Sequence, residues 1–186
     1  MIPEENRKEP DVSIVGPALE EMKFHIEKDD YVEMFTNLLA KACDSREKEI
    51  HPSFSSIIKQ LSPEDAKLLK IISDNYAIPI IELEEQHPDG SLTPYFGYYT
   101  LEYVYNVFDS HLFIPNELMV SIDNLCRLQL VFLNSHIISR KEEYEEVKNN
   151  SYYKSITTNE IHFKERRYRA EMTRLGARFV AVCVRN

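Results

Sequence analysis

The sequence predicts an α+β protein, mainly helical, in which an N-terminal three-helix segment packs on a winged-helix-like domain. Three observations lead to this prediction. Apolar residues recur at helical spacing through most of the first 75 positions, a strongly capped helix begins at Ser62, and short β-prone runs follow that helix. We divide the chain at the cap, into a helical subdomain over residues 1–61 and a winged-helix-like subdomain over residues 62–186.

The N-terminal segment is predicted to hold three amphipathic helices. The first covers residues 14–27, the second begins at Asp29 or Asp30 and ends near Asp44, and the third opens at Pro52. The side chains expected to face inward are Val15, Ala18, Leu19, Met22 and Ile26 in the first helix, Tyr31, Phe35, Leu38, Leu39 and Ala42 in the second, and Phe54, Ile57, Ile58 and Leu61 in the third.

The fourth predicted helix has the clearest start in the chain. Ser62 is a natural N-cap, Pro63 fits the first helical position, and Asp65 is placed to accept a hydrogen bond from the backbone amide of the cap. We predict that this helix runs to about Asn75 and that a strand follows over residues 77–83, because that run is rich in isoleucine.

The middle of the chain is predicted to be a turn, two helices and a strand. The turn is HPDG at residues 87–90. The aromatic-rich run 95–108 fits a helix or a strand, and we favour the helix. A helix over residues 115–128 and the strand LVFL at residues 130–133 follow. Many winged-helix domains have glycine where Gln129 stands, because the chain leaves the helix with a positive φ there. Glutamine at that position costs about 1 kcal/mol or forces a different exit from the helix.

The last third of the chain is predicted to be a long polar excursion, a strand and a terminal helix. Thr173 is expected to cap the terminal helix, and Gly176 permits close packing against a neighbouring element. The inward side chains of this helix are expected to be Leu175, Phe179, Val180 and Cys183. The order of elements from Ser62 onward is the sequence layout of a winged helix.

Five runs of sequence carry a family resemblance: PDVSIVGPALEEM, DDYVEMFTNLLAKACDS, HPSFSSIIKQLSPEDAKLL, IDNLCRLQLV and EMTRLGARFVAVC. Their order resembles the abortive infection alpha (Abi-alpha) family, bacterial proteins linked to phage defence and treated as a domain of unknown function. The resemblance implies a biological setting and brings no catalytic residues. Because members often have further sequence ahead of this region, we keep open a preceding segment that holds part of the function.

Charge is uneven along the chain, whose formal net charge is −9. Residues 1–90 carry 10 Lys or Arg and 20 Asp or Glu, whereas residues 154–186 carry 8 and 3. We therefore expect any anionic partner at the C-terminal end. The alternative is that these bases neutralise the acidic half of the protein or a neighbouring subunit. The candidate residues are Lys164, Arg166, Arg167, Arg169, Arg174 and Arg178.

The sequence lacks the motifs of common catalytic and cofactor sites. Its four glycines form no phosphate-binding loop, and its six histidines have no zinc-ligand spacing. Cys43, Cys126 and Cys183 lie far apart in apolar stripes, so we expect buried, unreactive thiols in a reducing cytosol. His51 is expected to bond the backbone before the third helix. We predict no cofactor, no metal site and no enzymatic activity.

The tyrosine- and phenylalanine-rich run is expected to be a packing or protein-binding surface. Its aromatic residues are Tyr95, Phe96, Tyr98, Tyr99, Tyr103 and Tyr105. Such side chains stack on single-stranded bases in some proteins, but no Lys or Arg lies between residues 90 and 125 to attract a nucleic acid.

We expect a cytoplasmic protein without a membrane segment, because the sequence has neither a signal sequence nor an apolar run of bilayer-spanning length. The favoured function is a non-enzymatic phage-defence module that binds a protein partner or forms a homodimer. The alternative is a winged-helix regulator that binds nucleic acid through its basic C-terminal wing. We disfavour it because the candidate recognition helix sets Glu117 and Asp123 against Arg127 alone. An enzyme such as a nuclease is a third hypothesis.

Overall fold

The computed structural model describes residues 2–24, 29–48, 50–108, 114–136, 141–157 and 161–185 of the chain. Helices and one four-stranded antiparallel sheet make up the described part, which confirms the α+β class. Ile26 and the side chains of Tyr95 and Phe96, which entered the sequence predictions, lie outside the described residues.

Three helices form the N-terminal segment, and they are α1 (Val12–Met22), α2 (Asp29–Ala42) and α3 (Phe54–Ile58). The predicted inward faces of α2 and α3 are buried, with Leu39 only half-buried. The prediction for α1 is partly wrong, because Ile14 is buried in place of Leu19, which is 48% exposed. The helix begins at Val12, and only a narrow face of it packs on α2 and α3.

Helix α4 (Pro63–Asp74) begins at the predicted capping box. The Ser62 hydroxyl accepts a hydrogen bond from the Asp65 amide at 3.0 Å, and the Asp65 carboxylate accepts one from the Ser62 amide at 2.9 Å. The Asn124 side chain donates to the same Asp65 carboxylate at 2.7 Å and to the Gln60 carbonyl at 3.0 Å. The cap therefore also joins the start of α4 to the helix that carries Asn124.

Four strands form the antiparallel sheet in the order β2-β1-β4-β3, and they are β1 (Ala77–Gln86), β2 (Leu92–Tyr99), β3 (Val131–Asn134) and β4 (Phe163–Met172). Strand β1 is longer than predicted, and the HPDG turn follows it, with the Gly90 amide donating to the His87 carbonyl at 2.9 Å. Along β1, side chains alternate between the two faces of the sheet. Ile78 and Ile80 point to the main core, whereas Ile81 points to a second, smaller cluster.

The aromatic-rich run does not form the predicted helix over residues 95–108. It forms strand β2 and then a 3₁₀ helix, Glu102–Val107. Aromatic side chains favour strands, and the open side of β1 supplies the backbone partners. Gly97, at φ 151°, lies beside the register shift between Glu82 and Leu83. A β-carbon there would lie 3.0 Å from Cβ of Pro115, so glycine lets the strand approach the next helix.

Two helices occupy the region that the sequence predicts as a polar excursion, and they are α6 (Lys141–Asn149) and α7 (Ser151–Thr157). They cover the second face of the sheet and bury a small apolar cluster against it. The excursion prediction was wrong because few apolar residues lie within the charged run, too few to give a helical pattern. The buried residues of this second cluster are Ile81, Leu83, Tyr99, Tyr144, Val147 and Tyr153.

Helix α5 (Ile114–Arg127) leads into β3. Of the two exits that the sequence leaves open at Gln129, the chain takes the one with positive φ. Gln129 has φ 58°, and its side-chain amide donates to the Cys126 carbonyl at 3.0 Å. This hydrogen bond offsets part of the cost of a left-handed residue other than glycine.

Helix α8 (Arg174–Phe179) closes the main core. The Thr173 hydroxyl accepts a hydrogen bond from the Gly176 amide at 2.9 Å, which confirms the predicted cap. A β-carbon on Gly176 would lie 2.0 Å from the Leu130 carbonyl oxygen, so the predicted close packing is against backbone. A π-helical turn, Val180–Val184, follows α8 and packs on α2, where the Asn37 side chain donates to the Cys183 carbonyl at 3.1 Å.

Candidate functional site

The structure does not bring the predicted basic residues onto one face. Lys164 and Arg166 project from the core-side face of β4, and Arg167 and Arg169 project from the opposite face, because neighbouring side chains in a strand alternate. The remaining two arginines lie on α8. An anionic partner therefore meets no single surface that presents all six charges.

In the half of β4 that begins at Phe163, two arginines are held by carboxylates of the protein itself. Arg166 Nη2 lies 2.7 Å from Glu84 Oε1, and Arg167 Nη2 lies 2.7 Å from Glu165 Oε2. Lys164 is exposed and lies opposite Glu84 in the strand register. A phosphate that engaged either arginine would compete with these ion pairs.

The other three arginines of the set lie farther along the chain, away from the Phe163 end of β4. Arg169 Nη1 lies 3.3 Å from Glu143 Oε2 on α6. Arg178 on α8 pairs with Glu47, which lies between α2 and α3. Arg174, at the start of α8, is exposed. Acidic residues of both the N-terminal segment and α6 thus neutralise part of the basic C-terminal region.

A polar cluster that the sequence reading missed lies on the core-side face of the sheet. The Tyr168 hydroxyl donates to Glu82 Oε2 at 3.1 Å. Burial raises the pKa of Tyr98 above its usual range, and the negative charges of Asp123 and Glu82 add to the rise. Burial also raises the pKa of Tyr168. Both phenols therefore stay protonated at neutral pH, and the Tyr168 phenol acts as a hydrogen-bond donor.

Glu84 is the most buried carboxylate of this cluster, at 6% exposure. Its Oε1 atom binds Arg166, whereas Oε2 has no hydrogen-bonding partner among the described residues. This cluster could have been predicted from the alternation of apolar and acidic residues along β1, since every second side chain of a strand lies on the same face. Ile80, Glu82 and Glu84 alternate with Ile81 and Leu83, which places the carboxylates on the same face as the isoleucine core.

A second polar cluster fastens α6 and α7 to the opposite face of the sheet. Glu165 accepts hydrogen bonds from the Tyr153 hydroxyl at 2.7 Å and from Arg167, and Lys148 Nζ lies 3.0 Å away. Burial alone would raise the pKa of Glu165, but these three donors outweigh it and hold the pKa below its usual value. The Arg167 guanidinium also lies 5.3 Å from the centre of the Tyr144 ring.

The cysteines and His51 have the environments of structural residues. Burial raises the pKa of the Cys126 thiol to about 11 and raises that of Cys183 further, so both thiols are protonated at neutral pH. Cys43 and Cys126 are half-buried, where the sequence predicts full burial. His51 Nδ1 accepts a hydrogen bond from the Ser53 amide at 3.2 Å, which confirms its predicted backbone contact. Among the described residues, no three metal-binding side chains converge on a point.

An open groove of about 440 Å³ runs along the free part of β4. Its lining carries a net positive charge, since two arginines and one glutamate contribute to it. A groove of about 420 Å³ between α4 and α5 has Glu64 and Glu117 as its charged residues. The residues that line the β4 groove are Ser135, Glu165, Arg166, Arg167 and Tyr168.

Helix α1 and the turn after it expose large apolar side chains. Val12 is 82% exposed and Phe24 is 77% exposed, and Leu19 is the half-exposed residue described above. Val12 and Leu19 are seven residues apart, about two helical turns, and therefore lie on one face. At Gly16, between them, an added β-carbon would meet no atom within 4 Å, so the face is open to solvent. Sequence reasoning missed this surface because it assigned Leu19 to the core.

Comparison with known proteins gives a solved structure and a family. The solved structure is an uncharacterized protein from the hydrocarbon-degrading marine bacterium Alcanivorax borkumensis SK2, with 16% sequence identity and a TM-score of 0.45. The similarity covers 73% of this chain and 98% of that chain. No curated protein matches the sequence significantly. Within the described residues, no helix is both long enough and apolar enough to cross a membrane.

The family comparison agrees with the motifs read from the sequence. The model of the abortive infection alpha family matches residues 1–183, a span that takes in all four strands and the helices α1 to α8. The match extends through both polar clusters and the exposed face of α1. The chain therefore belongs to the abortive infection alpha family.

Proposed function

We propose that the protein acts in phage defence as a non-enzymatic module that binds a protein partner. Membership of the abortive infection alpha family supports the biological setting. The observation that carries the molecular role is the exposed apolar face of α1, with Val12 and Leu19 two turns apart and Phe24 beyond the helix end. Large apolar side chains that share an exposed surface are typical of protein interaction sites.

The condition of the reactive groups supports a role without catalysis. The tyrosines and thiols of the two sheet faces hold their protons at neutral pH, which makes them poor bases and poor nucleophiles. The carboxylates of Glu82, Glu84 and Glu165 are engaged by tyrosine, arginine or lysine. The contacts of Glu82 and Glu84 join β1 to β4, and those of Glu165 hold the sheet to α6 and α7.

The test replaces the exposed apolar side chains of α1 by aspartate. In the double variant Val12→Asp with Leu19→Asp, we expect loss of phage protection in a plaque assay and loss of the partner that co-purifies from infected cells. The thermal midpoint should change little, because Val12 makes few contacts and Leu19 is only half-buried. Light scattering gives the molar mass of the purified protein, which tells whether the partner is a second copy of the chain or a different protein.

The matched control is Val120→Asp on α5, where valine is 61% exposed. This variant carries the same kind of change on another surface and should keep both protection and the partner. If the α1 double variant protects cells as well as the unmodified protein does, the role assigned to α1 is wrong.

A nucleic-acid-binding regulator is the second candidate, and one observation favours it. The sheet order β1-β4-β3, with α5 leading into β3, follows the strand order of a winged helix. Against it, four of the six basic residues are held by the protein's own carboxylates. The test is the double variant Lys164→Glu with Arg174→Glu, both at exposed positions. Unchanged retention on DNA at low salt would remove this candidate.

A further inference from the structure

Strand β4 has an outer edge that β3 covers only in part. Strand β3 pairs with β4 from Val131 opposite Met172 to Asn134 opposite Arg169. Beyond Asn134, no strand of the described chain pairs with that edge, although β4 continues back to Phe163. As far as the described residues show, about half of β4 is therefore an edge strand on this side.

The hydrogen-bond pattern shows which residues present their backbone at this edge. The Gln86 amide donates to the His162 carbonyl at 2.8 Å, and the Thr173 amide donates to the Leu130 carbonyl at 3.0 Å. In an antiparallel ladder the bonded residues alternate. Even-numbered residues of β4 therefore bond to β1 and odd-numbered residues face β3, which leaves the amide and carbonyl of Glu165 and Arg167 directed to the uncovered edge.

Space and charge beside this edge favour a particular kind of ligand. The groove of about 440 Å³ lies along the same residues, from Glu165 to Tyr168. In this stretch Arg166 is paired with Glu84 and Arg167 is paired with Glu165, so among the described residues Lys164 is the cation that no carboxylate neutralises. Lys164 is exposed and lies on the core-side face of β4. It directly precedes Glu165, the first residue whose amide and carbonyl face the uncovered edge.

We infer that the outer edge of β4 binds an extended acidic segment of a partner protein as an added strand. Backbone hydrogen bonds to Glu165 and Arg167 supply affinity that is independent of sequence, and the positive charge of Lys164 selects acidic side chains. The inference specifies the chemistry of a partner and therefore rests on the proposed function. It uses a surface separate from α1, so the two can fail independently.

The experiment titrates the full chain with a labelled eight-residue peptide of alternating valine and glutamate and follows fluorescence anisotropy. We expect saturable binding with a dissociation constant below about 1 mM. The same peptide with N-methyl groups on alternate amides keeps its charge but loses the donors of one edge, and it should bind at least about tenfold more weakly. Equal binding of both peptides would overturn the inference, as would no binding of the first.

Protein variants locate the site and test its charge. Arg167→Pro removes an outward-facing amide without touching the bonds to β1, whereas Arg167→Ala removes the same side chain and keeps the amide. We expect the proline variant to bind the peptide at least about fivefold more weakly than the alanine variant. Circular dichroism of both variants, and retained binding by the alanine variant, distinguish a lost amide from a lost fold.

The selection for acidic ligands is tested with two further probes. A peptide with lysine in place of glutamate, and the Lys164→Glu protein with the original peptide, should each bind at least about fivefold more weakly. A short single-stranded oligonucleotide that competes at lower concentration than the peptide would overturn the assignment to protein. If the peptide does not bind, the α1 test of the proposed function is unaffected. If the α1 variant still protects cells, the peptide test of the β4 edge is likewise unaffected.

Discussion

Glu84 and Arg166 form an ion pair on the core-side face of the sheet, with 2.7 Å between Oε1 and Nη2. The two residues are not equally buried, since the Glu84 side chain is 8% exposed and that of Arg166 is 52% exposed. The carboxylate has been taken out of water and depends on one arginine that reaches it from the solvent side. A buried charge that loses its partner is strongly destabilising.

The first prediction follows from this asymmetry. Arg166→Met should lower the free energy of unfolding, because it leaves Glu84 buried without its cation. The double variant Arg166→Met with Glu84→Leu should recover most of that loss, since both charges are gone. Urea denaturation of the single and double variants measures the difference. A double variant less stable than the single one would contradict the prediction, because it would show that the unpaired Glu84 carboxylate is not what destabilises the single variant.

The second prediction concerns pH and the attachment of α6 and α7. The pKa of Glu165 in the folded protein lies below its usual value of 4.5, so the unfolded chain binds this proton more tightly. The stabilisation is complete above about pH 4.5 and is lost as the pH falls through the folded-state pKa. Glu165→Gln should therefore lower stability at pH 7 and make the decline in acid shallower. Thermal midpoints measured from pH 7 to pH 3 give both quantities.

The control for that prediction is Glu146→Gln, which changes an exposed glutamate on the same pair of helices. Its acid profile should follow that of the unmodified protein. A Glu165→Gln profile as steep as the unmodified one would show that other carboxylates dominate the acid response.

The third prediction compares two glycines. Gly176→Ala places a methyl group 2.0 Å from the Leu130 carbonyl oxygen, and neither backbone can yield easily, so the free energy of unfolding should fall by about 3 kcal/mol. Gly16→Ala meets no atom within 4 Å, and it should stabilise helix α1 by about 0.5 kcal/mol, less than usual because Pro17 follows. Chemical denaturation distinguishes them, and equal effects would contradict the close contact.

The fourth prediction concerns Tyr76, which follows α4 with φ 63° and a side chain that is 87% exposed. A tyrosine in the left-handed region is strained and gains no burial in return. Tyr76→Gly and Tyr76→Asn should each raise the free energy of unfolding by about 0.5 kcal/mol, and asparagine has the advantage of a less flexible unfolded chain. Thermal unfolding measures the change. If both variants are less stable, the tyrosine has a contact role that outweighs its strain.

Local rules predicted the elements whose signals lie within a few residues. Ser62, Asp65 and Thr173 cap helices as expected, and Gln129 has the positive φ that its place in the chain implies. These predictions succeeded because a cap or a helix exit is decided by neighbours in sequence.

Long-range pairing explains the failures. Strand β2 forms because β1 offers it an edge, and nothing within residues 95–108 distinguishes that outcome from a helix. The candidate basic residues share a stretch of sequence, yet the period of two in β4 divides four of them between opposite faces. Their carboxylate partners come from β1, α6 and the loop after α2, which sequence proximity does not reveal.

The cap of α4 has a consequence for how the protein opens. The Asp65 carboxylate accepts a hydrogen bond from the Ser62 amide at the start of α4 and another from the Asn124 side chain in the last turn of α5. One carboxylate therefore supports two helix ends. Unwinding at either helix end strips a donor from the same oxygen atoms and weakens the other end. Fraying at these two places is therefore a single cooperative event, although 59 residues separate them along the chain.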